Sequence, residues 1–338
     1  MSSVSPAPYD ALLLVSFGGP EGPDDVVPFL ENVVRGKNVP AERIAAAAKH
    51  YEPFGGVSPI NAQNRALLVA LAGEFNAHGL DLPIYWGNRN WHPLLADVVQ
   101  QMADDGIGHA LALVTSAFGS YSGCRQYQED IDEARRAVGP ESPRIDKLRL
   151  FYNHPGFVEA MTDRAWDALE QVPADRRPAA RLLFTAHSLP LAMARNAPYK
   201  SQLREACRLV AERLGRTDWR LAYQSRSGPP AEPWLEPDVR DELRRHAGGE
   251  VRDVVIVPIG FLCEHLEIVY DLDIEVRQLC DELGLDMVRS GVVGCHPRFV
   301  RMIRELVLER LDPSAPRPAL GTLGPWPDQC PAGCCRTT

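Results

Sequence analysis

The sequence predicts an α/β protein of two lobes, each a four-stranded parallel sheet flanked by helices, with a cleft between them. Three observations predict it. Short apolar runs of strand length alternate with longer stretches of helical periodicity, the pattern of parallel strands joined by crossover helices. Eight such runs divide evenly about a polar, proline-bearing stretch at 171–178, which reads as the linker. The runs end in small or polar residues, and in an open α/β sheet the carboxyl ends of the strands are where ligands sit.

In chain order, the first lobe takes strands at 12–15, 84–86, 110–115 and 148–152, and the second takes strands at 182–186, 220–224, 254–258 and 286–289. Helical periodicity is clearest at 60–77, 94–105, 198–214 and 299–311. The lobes on this reading cover 1–172 and 179–313. Residues 314–338 form an extended tail, with prolines at 316, 318, 325 and 327 and a cysteine cluster at its end.

A hydrophobic content of 45% and a charged content of 24% describe a soluble globular chain. The net charge of −9 excludes bulk nucleic-acid binding, which needs a basic field, but leaves room for local arginines that grip a small anion. No stretch approaches the roughly eighteen apolar residues of a membrane span. The start lacks a basic region followed by an apolar core. A cytoplasmic location without stable membrane insertion is therefore expected. Cys124, Cys207, Cys263, Cys280 and Cys295 are scattered, whereas Cys330, Cys334 and Cys335 crowd the last nine residues. In a cytoplasmic protein such crowding points to metal rather than disulfides.

Two strand ends carry chemistry. The run 182–186 stops at His187-Ser188, and Pro190 prevents its simple continuation, so an imidazole is delivered to the mouth of the cleft. The run 254–258 ends near Gly260, and 261–275 read as one helix places Glu267, Asp271 and Glu275 at i, i+4 and i+8. Like charges at that spacing repel by a few tenths of a kcal/mol per pair. A solvated acidic face explains such a stripe as well as a track of oxygen ligands for a divalent cation in transit does. Because Glu267 lies just past a strand end, as His187 does, the two are expected to face each other as a base and its acid–metal partner.

Five separated motifs then carry a resemblance: VSFGGPE at 15–21, YEPFGGVSP at 51–59, TAHSLP at 185–190, YQSRSGPPAEPWLEPDV at 223–239 and GFLCEHLEIVYDLDIE at 260–275. Through them the chain resembles the ferrochelatases along nearly its whole length. The resemblance implies two Rossmann-like lobes enclosing a porphyrin cleft. It makes His187 the active-site histidine and Glu267 its partner, both facing the substrate Fe²⁺, with Asp271 and Glu275 as the metal's route. Arg35 and Ser58 match positions that touch porphyrin propionates. His50 stands where a related group has arginine, and Phe17 stands where some relatives carry tyrosine, so an axial phenol contact is lost. The segment SYSGCRQY at 120–127 is expected to form a lip of the cleft, with Tyr127 as a substrate contact.

Similarity to the soluble bacterial type implies insertion of Fe²⁺ into coproporphyrin III, giving coproheme III in haem biosynthesis with release of two pyrrole protons. Protoporphyrin IX is the alternative substrate. A non-catalytic tetrapyrrole carrier or sensor is the alternative class, and a two-lobed solute-binding protein is a third. The terminal CPAGCC at 330–335 resembles the [2Fe-2S]-binding tail of some ferrochelatases, including actinobacterial ones. Such a cluster takes four thiolates, so Cys330, Cys334 and Cys335 need an internal fourth. Cys124 in the lip loop is the matching position, Cys263 the reserve, and a zinc site the other reading. The implied partners are the porphyrin, ferrous iron and other haem-pathway enzymes, for a chain expected to be a monomer.

Overall fold

The computed structural model describes residues 9–331 and 333–335, apart from 229–230, 247 and 250–251. The ends of the predicted first lobe (1–8) and of the tail (336–338) lie outside the described residues. Among the described residues, eight strands form two four-stranded sheets. The first contains β1 (Ala11–Ser16), β2 (Ile84–Asn88), β3 (His109–Val114) and β4 (Arg144–Lys147). The second contains β5 (Arg181–His187), β6 (Trp219–Gln224), β7 (Asp253–Val257) and β8 (Asp286–Arg289). Their orders are β2-β1-β3-β4 and β6-β5-β7-β8, and every pairing between neighbours is parallel. The two-lobed α/β prediction is thus met strand for strand, with one shift along the chain.

Parallel sheets are covered on both faces, so their strands read as continuous apolar runs. Both β1 and β7 are buried along their whole length. Alternation within the runs still sorts side chains to the two faces. Leu12 and Leu14 of β1 join Leu182 and Phe184 of β5 in one core that runs through both lobes. Leu13 and Val15 face the outer layer of the first lobe, and Leu183 that of the second.

The predicted fourth strand, 148–152, is corrected to Arg144–Lys147. The apolar run Leu150, Phe151 and Tyr152 lies past the strand end and is buried in the shared core against Phe157 and Phe299. Apolar character alone does not distinguish a sheet interior from a buried connection. The four predicted helices are present as Ile60–Ala77, Leu95–Asp104, Tyr199–Arg213 and Pro297–Leu311.

Packing does not follow chain order. The helix Pro155–Glu170 leaves the first sheet and packs against β7, β8 and helix Tyr199–Arg213 of the second lobe. Helix Pro297–Leu311 returns to pack on Ile60–Ala77 in the first lobe and on Pro155–Glu170. The two crossing helices approach closely at Gly156, where a Cβ would sit 2.7 Å from the Arg298 carbonyl oxygen. At the far end of the crossing, Arg149 grips Glu309 through two hydrogen bonds of 2.7 and 2.8 Å, with both side chains at most 2% exposed. The tail then runs back over the first lobe. The Leu320 amide donates to the Asn153 carbonyl, the Asn153 amide side chain donates to the Gly324 carbonyl, and Trp326 packs edge-on against Tyr152.

Candidate active site

His187 is the last residue of β5, opposite Gln224 at the end of β6. Its Nδ1 hydrogen-bonds the Ser188 carbonyl at 2.5 Å, which turns Nε2 toward Glu267, 3.4 Å from Oε1. Gly260 brings the glutamate there. The chain leaving β7 runs so close to β5 that a Cβ on Gly260 would fall 2.6 Å from that of Ala186, and the Gly260 amide donates to the Thr185 carbonyl. Glycine is the residue that permits this approach. The far oxygen of Glu267 meets His265 Nε2 at 3.2 Å, and the Gln224 side chain donates to the Glu267 carbonyl at 2.8 Å.

The single helix expected over 261–275 is corrected. Residues 261–265 are irregular, Leu266–Val269 is one α-turn, Asp271–Val276 is a π-turn, and a regular helix resumes at Arg277–Leu283. The π-turn closes on the Tyr270 carbonyl, which accepts from both the Ile274 and Glu275 amides. Turns of this kind gather at functional sites. Asp271 accepts a hydrogen bond from Ser225, whose φ of 60° is the left-handed region that non-glycine residues rarely occupy. Glu275 lies farther out, 3.9 Å from Arg240, which Asp238 holds at 3.0 Å.

The electrostatics divide these groups. Desolvation in the cleft would lower the His187 pKa, but the charge and hydrogen bond of Glu267 overcome it and raise the imidazole to about 9. Glu267 shows the converse: desolvation opposes its ionisation, yet His187 and His265 hold the carboxyl well below the ordinary carboxylate range. Asp271 is pushed up to about 7, chiefly by desolvation, with Glu267 and Glu275 adding to the rise against the Ser225 hydrogen bond. An ion pair thus stands at the strand end, beside a carboxyl that titrates near neutrality.

Across from it, Phe17, Phe29, Tyr51 and Trp91 of the first lobe form one aromatic cluster with Leu266, Val269 and Tyr270. His50 stacks on Tyr270 with ring centroids 4.1 Å apart and planes within 11°. Arg35 is exposed at the rim and donates to Asn32. Ser58 is buried behind the VSFGGP loop, with its amide donating to the Pro20 carbonyl. Tyr127 does not lie on the surface of a lip. It is 5% exposed, because its ring fills the outer-face core beneath Arg89, whose guanidinium sits 4.5 Å from the ring centre and also covers Phe17.

A separate cavity of 530 Å³ lies away from His187, under the end of the tail, and is lined by Cys124, Cys330, Cys334 and Cys335 together with Lys147. Cys124 and Cys330 are hydrogen-bonded, which raises the Cys124 thiol and lowers Cys330 to about 5. The Cys334 and Cys335 sulfurs are 3.5 Å apart. Lys147 Nζ donates to the Cys124 carbonyl at 2.8 Å and lies 3.3 Å from its sulfur. Among the described residues, no three histidine, cysteine, aspartate or glutamate side chains gather closely enough to hold one metal ion. The four thiols line one cavity in a chain of contacts, Cys124 to Cys330, Cys330 to Cys334 and Cys334 to Cys335. Cys263 lines a different, small pocket with Gln63 and Phe299.

Sequence reading missed His265, Ser225 and Arg289. His265 was legible in the EHLE motif, two residues before Glu267. Ser225 and Arg289 occupy strand ends, the positions where ligand-facing residues concentrate.

The fold and this site define a metal chelatase: two parallel α/β lobes with a histidine–carboxylate pair at a strand end and a carboxyl line leading outward. SirB from Bacillus subtilis, solved with Fe³⁺, has the same fold at a TM-score of 0.55 and 15% identity, over 90% of this chain and 97% of that one. The family model for ferrochelatase matches residues 9–311, and the chain belongs to the ferrochelatase family. It is 56% identical to a ferrochelatase of Rhodopirellula baltica, over 98% of this chain and 94% of that one. It is 51% identical to a coproporphyrin III ferrochelatase of Streptomyces coelicolor, over 97% and 94% of the two chains.

Proposed function

We propose that this enzyme inserts Fe²⁺ into coproporphyrin III to form coproheme III in haem biosynthesis, releasing two protons per turnover. The observation that carries the reading is the His187–Glu267 pair at 3.4 Å with Asp271 beyond it, in a chain about half identical to coproporphyrin III ferrochelatases. Metallation needs a base beside the pyrrole nitrogens and exchangeable oxygen ligands behind it. His187 is the base. At neutral pH it is cationic against Glu267, so it must first give up its proton. An arriving dication favours that loss, and Asp271, titrating near 7, is a suitable acceptor. The neutral imidazole then takes the two pyrrole protons in turn, passing the first to solvent before accepting the second, a role worth about 10²–10⁴-fold in rate. Glu267, Asp271 and Glu275 supply hard oxygen ligands that hold the ion without trapping it. Phe17, Trp91 and Tyr270, the partly exposed members of the aromatic cluster, offer flat apolar walls for the macrocycle, with Arg35 and His50 at the rim for its carboxylates.

Anaerobic turnover with Fe²⁺, comparing coproporphyrin III and protoporphyrin IX, tests this. Conversion of coproporphyrin in preference is the expected result. Preference for protoporphyrin overturns the substrate, and binding of either without insertion moves the protein to the carrier class.

The reading includes a [2Fe-2S] cluster held by Cys124, Cys330, Cys334 and Cys335. The donor set fits: four thiols line one cavity, and the hydrogen bond from Cys124 holds the Cys330 thiol below its ordinary range. Such a cluster takes four thiolates and supplies one-electron chemistry, which chelation does not use, so its role is structural or redox-sensing. Lys147 places a positive charge beside Cys124, and Asn153 anchors the tail that carries the other three thiols. The spectrum of anaerobically purified protein tests the reading. A cluster signature lost in Cys124→Ser is expected, and its retention in that variant excludes Cys124 as a ligand.

A further inference from the structure

We infer that Arg289 is a positioning residue for iron delivery, a brace that fixes the Glu267–Asp271 segment from behind. Arg289 ends β8, and among the described residues its hydrogen bonds go to Asp273, Glu264 and Ser290 rather than to Glu267 or Asp271. Its guanidinium donates to both oxygens of Asp273, at 2.6 and 2.9 Å, and to Glu264 Oε1 at 2.9 Å. A further bond of 3.1 Å to the Ser290 carbonyl anchors the fork to its own strand. The Arg289 side chain is 15% exposed, Glu264 18% and Asp273 31%.

The placement of these bonds gives the brace its meaning. Glu264 lies three residues before Glu267, and Asp273 lies two residues after Asp271. One guanidinium therefore holds both flanks of the segment that presents the two route carboxylates. Between the flanks the chain makes an irregular entry, one α-turn and a π-turn, none of which a continuous helix would favour. Relaxation of the π-turn to an α-turn would tighten the winding and rotate Asp271 and Glu275 relative to each other. The brace opposes that rotation, and its planar fork suits a two-sided grip that an ammonium cannot reproduce. The Glu264 amide also donates to the Gln63 side-chain carbonyl at 2.8 Å, which ties the braced segment to the first lobe.

The inference rests on the proposal that Glu267 and Asp271 carry iron. Steady-state kinetics of Arg289→Gln and Arg289→Lys would be compared with those of Asp271→Asn, varying Fe²⁺ and porphyrin separately across pH 6–8. Arg289→Gln should raise the KM for Fe²⁺ by about tenfold, because small displacements of reacting groups are costly. It should also shift the acidic limb of the Fe²⁺ KM profile while leaving porphyrin KM within about twofold. Arg289→Lys, which keeps the charge and loses the fork, should recover only part. Asp273→Asn removes one arm of the brace and serves as the milder variant if Arg289→Gln does not fold. Folded brace variants with wild-type Fe²⁺ kinetics, alongside an impaired Asp271→Asn, overturn the brace alone. An unimpaired Asp271→Asn overturns the iron route and the inference with it.

Discussion

The first and second lobes have the same strand order, a central strand flanked on one side by the next strand in the chain and on the other by the third. They differ in the residues at the carboxyl ends of the central strands. Beyond β1 come Phe17 and a glycine-rich turn, and the first lobe adds Phe29, Tyr51 and Trp91 to make an aromatic wall. At the end of β5 stands His187, and the second lobe adds Glu267 and Asp271 to make a charged one. Under the proposed function, a shared scaffold carries one surface for a flat ring and another for protons and a cation. Dielectric demands favour that division. A macrocycle gains by leaving water, whereas carboxylates that pass an ion along must keep part of their solvation.

The sharpest way to break this division is His187→Ala. It should keep porphyrin binding, which the proposed function assigns to the other lobe, and lose insertion by about 10²–10⁴-fold. Porphyrin-dependent fluorescence quenching beside turnover checks it, and wild-type turnover would remove the second lobe's chemical role. The same pair has a stability signature. The His187 pKa is raised to about 9, so its contribution is complete below the ordinary histidine value and is lost as pH rises through about 9. The melting-temperature gap between wild type and His187→Ala should accordingly narrow in alkaline buffer.

The lobes must also stay in register, and the crossing helices do that. Arg149→Ala leaves Glu309 buried with only a 3.6 Å contact to Arg317, and should cost about 3–5 kcal/mol, read by chemical denaturation. A paired replacement of Arg149 and Glu309 by apolar residues should recover most of the loss, because the penalty lies in the orphaned charge.

A smaller effect separates the acidic line from the pair behind it. Asp271 titrates near 7, so the KM for Fe²⁺ should rise as pH falls below 7. Asp271→Asn should flatten that dependence and raise the KM by about tenfold at pH 8, the worth of one charged contact. A wild-type profile in the variant would confine the chemistry to His187 and Glu267. The smallest effect belongs to the aromatic lobe's rim. Arg35→Ala should raise porphyrin KM about two- to fivefold, the worth of an exposed ion pair, without changing the KM for Fe²⁺.

Strand ends were the legible part of this site. His187 lies where an apolar run stops abruptly, and Glu267 follows the end of the neighbouring parallel strand by ten residues, so strand direction brings both to the same edge of one sheet. The segment after Glu267 was only half legible. Its acidic residues recur at a helical spacing, but a one-residue π insertion leaves no mark in hydrophobic periodicity, and the bonds from Arg289 to Asp273 and Glu264 come from a distant strand. Tyr127 misled for a related reason. A tyrosine in a loop motif reads as exposed, and only packing shows its ring filling the core beneath Arg89.

By itself, the sequence determined the class of fold, because alternating strand and helix periods admit few arrangements other than parallel sheets with crossovers. It also determined which residue types reach the strand ends. The tertiary structure alone decided the rest. The exchange of helices Pro155–Glu170 and Pro297–Leu311 between lobes, the buried Arg149–Glu309 pair and the brace at Arg289 all join residues far apart in the chain. Such contacts depend on where whole elements come to lie, and periodicity carries only what each element needs from its immediate neighbours.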